Sequence, residues 1–411
     1  MSGVFSSLSG VSTALAAFSR ALSAEQANVS NSSTPGYAAQ RAVIHPIGFG
    51  FSSGAGFDTV SVQSTGSQLA DALVRAAGSQ AAASDTESAQ FGLLDQQFDI
   101  TGTTGIPAAL NGFSSAFADL SVTPNDAAVS ANAAAAVDSV AAAFRTAAQS
   151  VAGIRDNVTK NIDQVVTDIN GLTGQIAQLN AQIRNSGGED AGLDASRRTA
   201  LEQLASDVGL TVTGNADGTL NVLVGGSTPL VLGDRAYAFS ASDADSSFSG
   251  TLGGLLETKG TIGGVLDDLN TLVSGFAAAA NAIAPLFTFD AANPASSIQA
   301  DASLTTAGWS NSAANALAGL AGQKNSANDQ YALIAQSVGR KAADATSRAA
   351  QDQTSLTAAQ SAQSEIEGVS LDVEAVNITA YQRAWQASAK LIGVLDNLTL
   401  DAVNLAGQQD T

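Results

Sequence analysis

The sequence lacks cysteine, has a single histidine, and contains only 5% aromatic and 13% charged residues. Without cysteine there is neither a disulfide framework nor a thiolate metal site, and one histidine leaves few other transition-metal sites. His45, beside Pro46, has no second histidine or cysteine as a catalytic partner, so we assign it to a loop or core position. No nucleophile–base pair or carboxylate cluster emerges. We therefore expect no metal site, no cofactor and no enzyme activity.

Basic residues are also scarce, with 17 Lys and Arg against 37 Asp and Glu and a net charge of -20. Such a chain repels phosphate backbones and anionic lipid headgroups, so we expect neither nucleic acid nor a membrane as partner. No basic residue precedes Arg20, and no apolar run approaches the roughly 20 residues that span a bilayer. If the protein is exported, we expect a route without a cleaved signal peptide.

Alanine supplies much of the 45% hydrophobic content of the 411 residues. This length suits two or three domains, and the apolar content is enough to bury a core. Because the side chains are small, the composition favours close contacts between helices over a core of bulky side chains.

Both ends of the chain predict amphipathic helices. The first segment places one apolar stripe at helical spacing, interrupted only near Glu25. Its members are Leu8, Val11, Leu15, Phe18, Leu22 and Val29. Pro35 and Gly36 then predict a sharp turn, with Gly36 at positive φ. The last helix is predicted to begin near Ser370, and its apolar side carries Val373, Val376, Ala380, Ala387, Leu391, Val394 and Leu398.

The middle of the chain predicts long helices. The strongest stripe runs from Val137 to Ile183 with a stutter after Val158, and its helix reaches about 70 Å at 1.5 Å per residue. A second stripe from Tyr331 to Ile366 is of matching character, and we expect it to help bury the first. A further helix is predicted from Gln68 to about Gln96, and another from about Gly263 to Ala284. Residues 41–66 read as irregular structure with a short strand at Val60 and Val62.

A small β unit lies between these helices. Alternation from Leu210 and again from Leu220, separated by Asn-Ala-Asp-Gly, predicts a hairpin, and residues 229–239 can add a strand. The turn also resembles half of a calcium loop, but no bidentate glutamate follows at the required spacing. The glycine pairs of the chain lack the spacing of phosphate or dinucleotide loops and are interpreted as turns and close packing. These pairs are Gly225-Gly226, Gly253-Gly254 and Gly263-Gly264.

We therefore predict a mainly α fold, an elongated coiled-coil-like helical bundle formed by the N- and C-terminal halves, with a small inserted β-rich domain. The expected divisions are an N-terminal part of the axial helical domain (1–55), the first half of the long-helix domain (56–190), the β-rich insertion (191–254), the second half of the long-helix domain (255–366) and a C-terminal axial helix (367–411).

The two ends also carry a family resemblance. Ser7-Leu-Ser-Gly-Val11 and Asn31-Ser-Ser-Thr-Pro-Gly-Tyr-Ala-Ala-Gln-Arg41 resemble the amino-terminal signature of flagellar rod, hook and hook-associated proteins. Gly368-Val-Ser-Leu-Asp-Val-Glu-Ala-Val-Asn377 and the run from Tyr381 to Ile392 resemble the matching carboxy-terminal signature. The long central helix and Leu252-Gly-Gly-Leu-Leu-Glu257 are most similar to hook-associated protein 1, the family of first hook-filament junction proteins. Ala38-Ala39 departs from the commoner polar or basic residues, and the chain lacks room for the large outer domain of many relatives.

This resemblance implies a structural axial protein, an adaptor at the hook-filament junction needed for filament assembly and motility. It implies extracellular localisation in the flagellum and, as partners, the hook protein, the second hook-filament junction protein, copies of the chain itself, and the flagellar export chaperone and export apparatus. Tyr381 and Trp385, one helical turn apart, could face a partner subunit or the core, and the resemblance favours the subunit. The residues expected at the assembly interface are Leu8, Val11, Leu15, Phe18, Leu22, Pro35, Gly36, Tyr37, Tyr381, Trp385, Leu391 and Leu395.

Two other functions stay open at this stage. A flagellar hook or rod component shares both terminal signatures, but we expect it to contain more β structure and fewer long helices between them. A secreted self-assembling surface protein would also be acidic and free of cysteine, but it has no reason to carry paired amphipathic ends.

Overall fold

The computed structural model describes residues 2–46, 57–98, 101–187, 190–243, 248–302 and 308–407, and within these ranges it describes the side chains of residues 8–43 and 61–401. The helices are α1 (Ser2–Asn31), α2 (Gln68–Asp95), α3 (Gly105–Val122), α4 (Ala127–Asn185), α5 (Ala191–Asp207), α6 (Gly250–Asn281), α7 (Pro294–Ser297), α8 (Asn311–Ala318), α9 (Ala327–Glu367) and α10 (Leu371–Gly407). The strands are β1 (Gln40–Pro46), β2 (Phe57–Ser64), β3 (Leu210–Gly214), β4 (Leu220–Val224), β5 (Thr228–Leu232), β6 (Arg235–Ala236), β7 (Phe287–Thr288) and β8 (Gln299–Ala300). The prediction of a mainly α fold with a small β part is confirmed.

Helix α4 is the longest element of the described chain. Asp126 caps its amino end by accepting hydrogen bonds from the amides of Ala128 and Val129. The helix begins ten residues before the predicted seam and has 59 residues, so at 1.5 Å per residue it is roughly 90 Å long. The glycines within it, at 153, 171 and 174, do not interrupt it.

The partners of α4 differ from the expected ones. Its stripe packs against α3, α5 and α6, whereas α9 packs chiefly against α2 and then α6. The expectation that the stripe from Tyr331 to Ile366 covers the stripe of α4 was therefore wrong. Periodicity shows that a face is apolar, but it carries no information on which of several apolar faces will cover it.

The core of the bundle contains a group of phenylalanine rings in mutual contact. They come from α3, α4, α6 and β7, and they are Phe113, Phe117, Phe144, Phe276 and Phe287. Helix α3 was not anticipated, although its buried residues recur at helical spacing, and these are Ile106, Leu110, Phe113, Phe117 and Leu120. The few aromatic residues of the chain are thus concentrated where several helices converge.

The β unit is a four-stranded antiparallel sheet in the order β3-β4-β5-β6. Leu210 pairs with Val224, and the turn between β3 and β4 holds Gly218 at a φ of +81°, as expected for a hairpin. Asn180 of α4, fully buried, donates to the carbonyls of Leu220 and Gly233 at 2.8 and 2.6 Å. The sheet is therefore held against α4 by buried hydrogen bonds.

Several boundaries differ from the predicted ones. Helix α6 begins at Gly250 instead of about Gly263, so it starts inside the region assigned to the β-rich insertion, and α5 occupies the first part of that region. Residues 41–66 contain two paired strands instead of one.

Within Leu252–Glu257, a Cβ on Gly254 would lie 2.5 Å from the carbonyl oxygen of Ala83, which explains the glycine by close packing of α6 on α2. At the pair 263–264, an added Cβ would meet no atom within 4 Å, so close packing does not explain these two glycines.

Candidate assembly surface

The first and last helices pack against each other as an antiparallel pair, which we call the terminal pair (α1 and α10). Asn28 meets Glu374, Glu25 meets Asn377, and Phe18 meets Tyr381 with ring centroids 6.5 Å apart, so the two helices run in opposite directions. The most buried positions of α1 are small or polar: Gly10, Ala17, Ala21, Ala24, Glu25 and Asn28. Small side chains on this seam allow the helix axes to approach closely.

The predicted stripe of α1 flanks this seam. Leu8, Val11, Leu15, Phe18 and Leu22 are each half-buried in the isolated chain. Packing within the chain therefore covers part of every one of these side chains and leaves the rest accessible.

Helix α10 has two apolar faces. One packs against α1 and includes Tyr381 and Leu395, both half-buried. The other face is exposed, and we call it the outer stripe: Val373, Val376, Ala380, Ala387, Leu391, Val394 and Leu398. The exposed fractions of its valines and leucines range from 49% for Leu391 to 69% for Val376. The sequence placed these residues on one side correctly, but that side faces away from α1.

The side chain of Trp385 is neither buried against α1 nor fully exposed. Its side chain is 40% exposed although it lies one turn after Tyr381. The structure thus separates the two aromatic residues: Tyr381 contacts Phe18 within the chain, and Trp385 presents much of its surface outward.

The turn at residues 34–37, the signature turn, docks on α5 of the same chain. Gly36 has a φ of +72°, as predicted, and a Cβ there would lie 2.7 Å from the carbonyl oxygen of Ala195. The hydroxyl of Thr199 donates to the carbonyl of Pro35 at 3.3 Å, and the Tyr37 hydroxyl donates to Asn28 Oδ1 at 3.0 Å. Pro35, Gly36 and Tyr37 therefore make contacts inside the subunit, joining the terminal pair to the bundle.

An ionic group beside this turn joins α5 to two further helices, and sequence reasoning missed it. In this Arg198 cluster, Arg198 of α5 bonds to Asp71 of α2, to Asp194 and to Glu367 at the end of α9, at 3.4, 3.2 and 2.8 Å. Burial works to lower the pKa of Arg198, but the three carboxylates outweigh it and raise this pKa. Only the Asp194–Arg198 spacing of four residues is visible in the sequence, because the other partners are far apart along the chain.

The Arg198 cluster lies where the chain passes between the bundle and the terminal pair. Glu367 also accepts a hydrogen bond from the backbone amide of Ser67, at the start of α2, at 2.5 Å. The carbonyl of Glu367 accepts from the amide of Ala39, which follows the signature turn. Ala38 and Ala39 are both buried, so the small residues that depart from the family pattern fit a crowded junction.

A second polar group lies inside the terminal pair. Asn28 Oδ1 accepts from the amide of Gln40 at 2.7 Å, and Asn28 Nδ2 donates to Glu374 Oε2 at 3.1 Å. Glu25, next along the same face, lies near Glu374, and burial together with that neighbour raises the pKa of Glu25 to about 7. The interruption near Glu25 in the apolar stripe was the sequence signal for this group.

Among the described residues, no group of three or more His, Cys, Asp or Glu could hold a metal ion. His45 lies in β1, but its side chain is outside the described residues.

One helix, α4, is long and apolar enough to cross a membrane by length and composition, contrary to the expectation that no such run exists. This is weak support for a membrane span, since a core helix meets the same criterion and the valines and isoleucines of α4 are largely buried.

Comparison with known proteins agrees with the terminal signatures. Residues 360–405 match the family model described as the flagellar basal body rod FlgEFG protein C-terminal, so the end of the chain is similar to that of flagellar rod proteins. Residues 91–286 match the model described as the flagellar hook-associated protein FlgK helical domain. The central part of the chain is thus similar to the helical domain of hook-associated FlgK proteins, as the resemblance indicated.

Among solved structures, the chain is similar to the flagellar hook junction protein FlgK from Burkholderia pseudomallei, with 26% sequence identity and a TM-score of 0.49. The match covers 54% of this chain and 45% of that one, so it spans less than half of the solved protein. No curated protein matches the sequence.

Proposed function

We propose that the chain is a structural adaptor in the axial part of the bacterial flagellum, at the junction between hook and filament, where it supports filament assembly and motility. The observation that carries this proposal is the outer stripe of α10. A helix whose other face is already paired with α1 presents a second, continuous apolar face, and an exposed face of this extent is typical of an interaction surface.

The occupant of the outer stripe is a neighbouring subunit in this proposal. Head-to-tail contacts between identical subunits generate helical assemblies, which is the geometry of a tube. The half-buried side chains of α1 and the exposed Trp385 would be covered by the same contacts. At the two ends of such a layer, the partners are the hook protein and the second hook-filament junction protein, with copies of the chain between them.

The proposed export route and the proposed role of the chain both follow from its assignment to the flagellum. The proposed location is extracellular, reached through the flagellar export apparatus with an export chaperone and without a cleaved signal peptide. A chain free of cysteine forms no disulfides that would hinder threading in an unfolded state. The proposed role is structural, with no catalytic step and no cofactor.

The match of residues 360–405 to a rod protein model favours one alternative, a hook or rod component. The helical domain at residues 91–286 supports the junction instead, since it matches the hook-associated model. Locating a tagged copy in flagella isolated from the source bacterium distinguishes these positions. Label at the hook-filament boundary is expected, and label along the hook or within the rod would contradict the junction.

The role of the outer stripe is tested with the double variant Leu391→Asp/Leu398→Asp. Both side chains are exposed in the isolated chain, so the substitutions are expected to leave its circular dichroism and thermal unfolding nearly unchanged. Buried against a neighbour, however, two unpaired carboxylates each cost several kcal/mol, so incorporation into flagella and swimming are expected to be lost.

The matched control is Gln386→Asp/Asn397→Asp, which adds the same charge to exposed positions of α10 away from both apolar faces. Normal filaments and swimming are expected for this control. Normal filaments in cells carrying the Leu391→Asp/Leu398→Asp variant would contradict the proposed role of the stripe.

A further inference from the structure

The helices of the bundle contain glycines that no packing contact explains. In the described part of the chain, a Cβ added to Gly153 of α4, to Gly260, Gly263 or Gly264 of α6, or to Gly92 in the last turn of α2 would meet no neighbouring atom within 4 Å. Apart from proline, glycine is the least favourable residue inside a helix, because its backbone loses the most freedom on folding. These open glycines therefore weaken their helices without a compensating contact in that part of the chain.

Helices α4 and α6 run antiparallel, and this decides which of their residues lie side by side. The rings of Phe144 and Phe276 are 6.0 Å apart in the phenylalanine group. Further along α4, Asn170 donates to the carbonyl of Phe239 at 2.8 Å, and the ring of Phe239 lies 6.1 Å from that of Phe248, just before the start of α6. A step along α4 therefore corresponds to an equal step along α6 in the opposite direction.

The open glycines of α4 and α6 consequently lie at one level of the bundle. Counting nine residues from the contact between the two phenylalanine rings places Gly153 of α4 beside Asp267 of α6. The open glycines of α6 lie within seven residues of Asp267, which is about 10 Å along the axis at roughly 1.5 Å per residue. The stutter after Val158 falls at the same level, and a stutter locally relaxes the winding of packed helices.

Helices α2 and α9 reach this level as well. Helix α2 runs parallel to α6, because Ser79 is hydrogen-bonded to Ser249 at 2.7 Å and Ala83 lies against Gly254. This register brings the last turn of α2, with its open glycine, beside the open glycines of α6. Helix α9 has Gly339 next to the end of α2. We call this set the glycine level: Gly92, Gly153, Gly260, Gly263, Gly264 and Gly339.

The glycine level lies between two parts of the bundle that have additional support. On one side, the phenylalanine group joins α3, α4, α6 and β7. On the other side, α5 packs on α4, and Asn170 and Asn180 of α4 hydrogen-bond to the chain of the β unit and the segment after it. Open glycines also occur in these two supported halves, where neighbouring elements hold the helices in place, and they are Gly112, Gly171, Gly174 and Gly275.

We propose that the glycine level is a bending joint of the bundle. The half that contains the phenylalanine group and the half that contains α5 and the β unit move relative to each other when helical hydrogen bonds of α4 and α6 open at this level. Hinges are formed by a few residues that absorb large changes in backbone angles, and glycine does so at the lowest steric cost. The joint belongs to the single chain, so it stands or falls independently of the outer stripe and of any role in the flagellum.

Two alanine variants with the same number of substitutions test the joint. The joint variant replaces four glycines of the glycine level: Gly153→Ala/Gly260→Ala/Gly263→Ala/Gly264→Ala. The control variant replaces the four open glycines of the supported halves: Gly112→Ala/Gly171→Ala/Gly174→Ala/Gly275→Ala. Because the added Cβ atoms meet no described neighbour within 4 Å in either variant, both are expected to fold, with thermal stability by circular dichroism unchanged or raised.

Hydrogen exchange of the full-length chain locates the joint. Amides of residues 154–157 and 261–268 are expected to show at least about tenfold lower protection than amides of residues 172–178, which lie in a supported half of α4. In the joint variant, protection at the glycine level is expected to rise about tenfold, because alanine is the best helix former. In the control variant, protection at the glycine level is expected to stay unchanged. Protection at the glycine level as high as that of residues 172–178 in the unsubstituted chain would overturn the proposal.

Distances between two spin labels measure the bending itself. The chain has no cysteine, so Ser139→Cys and Gln175→Cys, both at exposed positions of α4, supply the two labelling sites. They are ten helical turns apart on the same side of α4, about 54 Å when the helix is straight. Distances extending several ångströms below this value are expected in the unsubstituted chain and in the control variant, and a narrow distribution near it in the joint variant. The same distribution in the joint variant and the unsubstituted chain would contradict the joint, as would equal narrowing in the control variant.

Discussion

Small side chains set the closest contacts of this molecule. The seam of α1 contains Gly10 and three alanines beside its buried polar residues, and Gly36 brings the signature turn against α5. At Gly36 an added Cβ would lie 2.7 Å from the carbonyl oxygen of Ala195 and 2.8 Å from the hydroxyl oxygen of Thr199, so the packing leaves no room for a methyl group there.

Gly36→Ala tests the close approach at the signature turn. The substitution adds a Cβ within 2.8 Å of two α5 oxygens and also strains a backbone with positive φ. Gly226→Ala is the matched control, because Gly226 has nearly the same φ, +73°, with no atom within 4 Å of the added carbon. The control is expected to cost about 1 kcal/mol from backbone strain, and Gly36→Ala about 1–3 kcal/mol more from overpacking.

Urea unfolding followed by circular dichroism measures both costs. The difference between the two variants isolates the steric contact, since the backbone strain is common to both. Equal destabilisation by the two substitutions would show that the turn does not rest on α5.

Between elements, buried ionic and polar side chains decide how helices from distant parts of the sequence are joined. The Arg198 cluster connects α2, α5 and α9, and the carbonyl of Glu367 reaches the segment that leads into β1. Buried ion pairs add little net stability compared with apolar packing, but removing one partner leaves the other charges uncompensated. This makes the cluster a joint that tolerates little change at Arg198.

Arg198→Met is expected to destabilise the chain by about 3–5 kcal/mol, because it leaves the buried carboxylate of Glu367 without its ion-pair partner and Asp71 with Arg75 alone. Arg155→Met is the control, since the Arg155–Asp156 pair is exposed and such pairs contribute about 0–1 kcal/mol. Chemical unfolding of both variants gives the comparison. If Arg198→Met lowered the free energy of unfolding as little as Arg155→Met does, the Arg198 cluster would not be what joins these helices.

At the scale of the whole molecule, the terminal pair and the bundle are separate packing units joined at one place. Helix α10 packs chiefly against α1, and α1 packs otherwise against the β1–β2 hairpin. The bundle has its own core of aliphatic and aromatic side chains. The connection consists of the signature turn on α5 and the Arg198 cluster.

A chain ending at Ser370 is therefore expected to retain the bundle. Without α10, the main thermal unfolding transition followed by circular dichroism should shift by less than about 4 °C, since a loss of roughly 1 kcal/mol or less is expected in a bundle of this size. Helix α1 should instead lose its hydrogen-exchange protection, because its alanine seam is no longer covered. Loss of the main transition in the shortened chain would show that the bundle depends on α10.

The sequence alone determined much of the local structure. Periodicity predicted α1, α2 and α10 close to their observed bounds and α4 except for its first ten residues, and turn residues predicted the β3–β4 hairpin and a turn in which Gly36 can adopt positive φ. The terminal signatures also indicated the family that the domain matches bear out. These features depend on neighbours within a few positions along the chain, so local patterns of side-chain size, polarity and backbone freedom are enough to predict them.

Only the tertiary structure decided which faces meet. It paired α9 with α2 instead of α4, turned Val376 and Leu391 of α10 away from α1, and brought Glu25 to Glu374 and Arg198 to Glu367. The assembly role of the individual interface residues stays a prediction. The physical reason for the division is that an apolar face or a charge can be satisfied by many partners, and the choice among them depends on how all elements pack together in three dimensions.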